Sequence, residues 1–231
     1  MRLLPILALF ALAPTTAAAQ CAAPPQASPQ LGARPAAERL RFLSRALDTD
    51  AANTRIWRLG WGAAYAVGTL GQLAAIPLLG PEDQKDFVVG VASTAVGVAF
   101  TLLGTPEVMD DAPAFATRVA AGGDECELLA EAERLIVKDA ANEISGVAWY
   151  IHAANIAFNL GLGLVIGLGF GHWVSALINF LVGAAIGEGT FFTQPTALDA
   201  AWKGYLSGTF APPALSGVRV SPLGLGFAVQ F

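Results

Sequence analysis

The feature that most constrains this chain is a pair of long apolar stretches that carry a small or polar residue at every fourth position. In one the series is Asn155, Asn159, Gly163, Gly167 and Gly171; in the next it is Ser175, Asn179, Gly183 and Gly187. Residues four apart share one face of a helix. Acyl chains gain nothing from such a face. A neighbouring helix does, because small residues let backbones approach and side-chain amides bond across the gap. The spacing therefore predicts helices packed on one another in a bilayer, with Gly163, Gly167, Asn179, Gly183 and Gly187 as packing positions.

Composition supports a lipid solvent. Only 13% of the residues are charged and 55% are hydrophobic, where soluble domains carry about 25% charge. The net charge of −5 comes with no basic run, which argues against nucleic acid as a partner. Two His and two Cys leave little to build a zinc site from, so no metal and no cofactor is expected. Arg2, the apolar run Leu3 to Leu12 and the small residues Ala17 to Ala19 read as a signal peptide over 1–19, with an uncleaved anchor as the alternative. Export would carry Cys21 and Cys126 into an oxidising compartment, where they could pair; two unpaired thiols are the other reading.

After the signal peptide, the sequence divides into five parts. Residues 20–35, rich in Pro, Ala and Gln, read as a flexible linker. Residues 36–104 hold an amphipathic helix and a first transmembrane hairpin, its spans at about 59–79 and 87–103. Residues 105–123 read as a loop, and 124–192 as an acidic helix plus a second hairpin, its spans at about 144–170 and 173–192. Residues 193–231 form a tail whose last fifteen residues alternate like a β-hairpin. The expected fold is an all-α membrane protein: four transmembrane helices as two helical hairpins, two amphipathic helices and a short C-terminal β-hairpin. The halves resemble a tandem repeat, because Asp50-Ala51-Ala52-Asn53 recurs as Asp139-Ala140-Ala141-Asn142. The alternating end in Phe231 resembles the C-terminal assembly signal of bacterial outer-membrane barrels over about ten residues. A barrel needs at least eight such strands, and the rest of the sequence does not supply them.

Basic residues conflict with a cleaved signal. With four spans only Lys85 would face the cytoplasm, the reverse of the usual bias. Inner and outer membranes of a Gram-negative-type cell envelope both remain open. An antiparallel second hairpin turning near Gly171 brings His152, Asn155, Asn159 and Glu188 towards one end of the bundle. An ionisable group at membrane depth is a functional candidate by default; the alternative is a hydrated interfacial group with amides that only glue helices. GxSxG, HExxH, P-loop and CxxC patterns are absent from the sequence. The expected function is therefore non-enzymatic: a structural or partner-binding envelope component whose partners are the lipid bilayer and a second copy or another envelope protein. The alternative is a small oligomeric transporter or channel subunit using His152, Asn155, Asn159 and Glu188.

Overall fold

A computed structural model describes residues 21–104 and 106–210, with the backbone alone at 219–221 and 224–226. The expected signal peptide lies outside the described residues. In chain order the helices are α1 (Pro29–Gly32), α2 (Ala36–Ala75), α3 (Pro81–Leu103), α4 (Val108–Ala121), α5 (Glu125–Gly146), α6 (Trp149–Leu164), α7 (Trp173–Phe192) and α8 (Ala197–Ser207).

They build two regions, a head and a stalk. The head is α1, the N-terminal half of α2, α4, α5 and α8, gathered around one core that includes Leu31, Leu43, Leu47, Phe115, Leu129, Ile136, Leu198 and Tyr205. The stalk is the C-terminal half of α2 with α3, α6 and α7. Glycines join its hairpins. Gly62 meets Leu102 and Gly68 meets Thr94 across α2 and α3, while Gly163 meets Ala176 and Phe180 across α6 and α7. Each pair therefore runs antiparallel. The turn before α7 uses Gly171 at φ +79°, a conformation that a side chain would strain. Outside, the stalk is apolar: Val67, Leu70, Val174, Leu177 and Leu181 are all more than half exposed.

Three helical runs each hold a stretch long and apolar enough to cross a membrane: Pro81–Ala121, Glu125–Gly169 and Trp173–Ser207; their α4, α5 and α8 portions pack in the head. This corrects the expectation of four spans. The segment at 59–79 belongs to the single 40-residue helix α2. Gly60, Gly62, Gly68, Gly71, Thr69 and Gln72 dilute its Leu and Val, so its composition falls short although it lies alongside α3 and α7.

Other expectations also change. The linker 20–35 is ordered from residue 21: Leu31 is fully buried and Ala23 and Ala27 pack on the head core. The loop 105–123 contains α4, helical despite Pro113, because Val108, Ala112 and Phe115 bury one face against the core. The tail 193–231 contains α8, closed by Gly208 in the left-handed conformation. Within the described residues, no β-hairpin of the expected length is an element of this fold. Among the described residues, extended pairing is confined to Arg219–Ser221 against Gly224–Gly226, and the rest of 217–231 lies outside them.

The offset between the two Asp-Ala-Ala-Asn stretches recurs in the helix boundaries. Asp50 and Asp139 are 139 − 50 = 89 residues apart. The same 89 separates the starts of α2 and α5 (36, 125), the ends of α2 and α6 (75, 164), the ends of α3 and α7 (103, 192) and the starts of α4 and α8 (108, 197). Each half is thus a long helix out of the head, a returning helix and a short helix back in the head.

Candidate functional site

His152, Asn155 and Asn159 project from one face of α6, and Glu188 from α7. With its proton on Nδ1, His152 donates to Glu188 Oε2 at 2.5 Å. Asn155 Nδ2 donates to the other carboxylate oxygen at 2.9 Å and to the Ala184 carbonyl at 3.0 Å. Asn159 Nδ2 donates to Asn155 Oδ1 at 2.9 Å and to its carbonyl at 3.0 Å. The ladder makes this possible: a Cβ at Gly187 would overlap the Asn155 amide, and one at Gly183 the Asn159 amide. So the four residues form one hydrogen-bonded chain, with donors converging on Glu188 from both sides. Asn159 Oδ1 is buried without a partner.

The site lies at the head-facing end of the stalk. The His152 ring packs against Phe191 and Phe192. One turn towards the head, Trp57 Nε1 donates to the Thr190 carbonyl at 3.0 Å and Trp61 Nε1 to Thr193 Oγ1 at 2.8 Å. Tyr65 shares a 2.8 Å bond with Thr190 Oγ1. These bonds tie α2 to α7 around the cluster. Chemically, the arrangement holds a carboxylate beside an imidazole, with amides fixing the carboxylate's orientation. It suits passing a proton or holding a small polar group, and its hydrogen-bonded members include no Ser or Cys nucleophile.

The packing residues divide. Gly163, Gly183 and Gly187 lie at the α6–α7 contact, and Gly167 faces the Trp173 ring. Asn179 instead approaches Gly90 of α3, beside Gln72. Cys21 and Cys126 form a disulfide with Cα atoms 5.2 Å apart. It ties the N-terminal arm to the start of α5. Arg39, fully buried, clamps the same arm: it donates to the carbonyls of Cys21 and Ala22 at 2.9 and 3.1 Å, to Tyr205 Oη at 2.8 Å and to Glu133 at 2.7 Å. Burial and the Glu133 carboxylate hold the Tyr205 phenol protonated well above its ordinary range.

The sequence reading missed the acidic interior of the head. Asp50, Asp139 and Glu143 are all at most 5% exposed. Glu143 Oε2 accepts from the Leu198 amide at 3.1 Å, at the start of α8. Burial, and then the Asp50 carboxyl facing it, push Glu143 up to about 10. Burial also raises Asp50, against the pull of Glu143, the Thr54 hydroxyl and the Ala197 amide. Burial and the charge of Asp111 raise Asp139 to about 7. The one available signal was the repeated Asp-Ala-Ala-Asn, which marks two of these three carboxyls.

No protein-family model matches this chain, and neither curated proteins nor solved structures give a match.

Proposed function

We propose that this protein is a non-enzymatic component of a bacterial-type cell envelope, anchored by its stalk and presenting a disulfide-closed helical head on the oxidising side for structural or partner-binding work. The observation that carries the reading is the segregation of its surfaces. Among the described residues, every large apolar side chain that is strongly exposed lies at 56–103 or 149–192, apart from Val137 and Ile144. The disulfide and the buried ionic groups lie in the head. A contiguous apolar surface of this extent marks a membrane or a protein partner, and a disulfide persists on the oxidising side of a membrane. Bifunctional cross-linking in intact cells at an exposed head position such as Arg41 tests it. A discrete cross-linked species, to a second copy or to another envelope protein, supports the reading. Cross-links at Arg41 to lipid alone, with none to protein, would remove the partner-binding role.

A second reading has its own observation. The continuous chain from Asn159 to His152, with Asn159 Oδ1 left unpartnered, fits a small transporter or channel subunit that passes protons or polar solutes. Proton flux in reconstituted vesicles, compared with Glu188→Gln, separates the two. Flux that the substitution removes favours transport, and equal leak in both proteins assigns the cluster to packing.

A further inference from the structure

In the head, Glu107 and Asp111 of the α4 start face Asp139 of α5, and each offers an oxygen within 4.8 Å of the others. Two oxygens that ligate one calcium ion at about 2.4 Å can be up to about 4.8 Å apart, so the spacing suits a shared ion. A group of acids is not a site by itself. Here the second observation is Asp139: its side chain is 1% exposed, and neither carboxylate oxygen has a hydrogen-bond partner. The matching position in the other half is different. Asp50 receives the Thr54 hydroxyl at 3.3 Å, and its neighbour Glu143 receives the Leu198 amide at 3.1 Å. Asp139 has no such donor, and its carboxylate offers an oxygen within 4.8 Å of those of Asp111 and Glu107.

Lys138 lies at the rim. Its ammonium contacts Asp111, is 3.1 Å from Glu107 and 3.9 Å from Asp139, and its side chain is 40% exposed. With all three carboxylates ionised, one ammonium leaves two negative charges. One divalent cation cancels them, and the flexible, strongly hydrated Lys can move aside. We propose that Glu107, Asp111 and Asp139 bind a divalent cation, with calcium favoured, which staples α4 to α5. Carboxylate oxygens are hard ligands that suit calcium, whose coordination tolerates irregular geometry, whereas magnesium demands a near-octahedral shell. Three protein ligands with water completing the shell place the affinity near the weak range of extracellular modules, about 0.1–1 mM.

Calorimetric titration of the full chain in detergent with CaCl2 and MgCl2, at constant ionic strength, tests the site. The expected result is saturable calcium binding, weakened at least about 10-fold by Glu107→Gln and by Asp111→Asn and abolished by Asp139→Asn. Asp199→Asn, in the exposed pair with Lys203, leaves it unchanged. Glu107 is half exposed, so its substitution keeps the test valid where Asp139→Asn fails to fold. No binding of either ion, or equal binding by Glu107→Gln, Asp111→Asn and the parent, overturns the proposal.

Discussion

The head and the stalk solve the same packing problem with opposite materials. Head helices meet through Leu, Ile and Phe side chains that water would penalise, and Arg39 is buried there with Glu133 and Tyr205 as partners. Stalk helices turn comparable side chains outward and meet through Gly, Thr, Asn and Gln. In water, burying apolar area drives association. In lipid that drive vanishes, and close backbone approach with interhelical bonds replaces it. Under the proposed anchoring, the run α5–α6 changes from one rule to the other part-way along its length, and α2 shares the stalk's packing without the hydropathy of a span.

The largest expected effect tests the head. Cys126→Ser opens a loop of sequence separation 105 and should cost about 2–5 kcal/mol. Chemical unfolding followed by far-ultraviolet circular dichroism would show a destabilised head transition, with the stalk's helical signal unchanged. Coincident loss of both signals would break the division into two regions. Next comes the ladder: Gly187→Leu forces a side chain into the Asn155 amide and should cost about 1–3 kcal/mol. Gly161→Leu, at a position with open space, serves as the comparison in the same detergent denaturation.

The third prediction concerns pH. The folded head keeps Glu143 protonated up to about 10, against 4.5 ordinarily. A raised carboxyl contributes stability that is fully present below the unfolded value and is lost as pH rises through the folded one. Thermal midpoints of the parent should therefore fall between pH 6 and pH 9. Glu143→Gln, which keeps an acceptor for Leu198 and gains a donor for Asp50, should flatten that slope and stabilise the head by about 1 kcal/mol at pH 9. An unchanged slope would remove Glu143 from the account. The smallest effect is Leu181→Ala on the exposed stalk surface, 54% exposed, expected within about 0.5 kcal/mol by the same denaturation in lipid vesicles. A core-sized loss there would mean a protein partner covers that face.

Legibility followed the same boundary. Fourfold ladders report on one helix pair at a time, so the meeting of His152, Asn155 and Asn159 with Glu188 could be read from hairpin register. The head was opaque because its contacts join distant segments. Arg39 meets Glu133 and Tyr205 across 94 and 166 residues, and no local period encodes that. Composition also misled where burial decides: the Pro and acids of 105–123 resemble a loop until Phe115 finds the core, and the Ala-Pro arm resembles a linker until Cys21 and Leu31 are held. The count of spans failed for a related reason. The Gly and Gln that pair α2 with α3 are the residues that lower its hydropathy.

The central claim is that a disulfide-closed head stands on the oxidising face of a membrane that the stalk occupies. Thiol labelling of carbonate-washed membranes with a maleimide of high mass, before and after reduction, tests it most directly. The account predicts a chain retained in the membrane pellet that takes no label until reduction, then two. A chain in the soluble fraction, or one labelled twice without reduction, would contradict it.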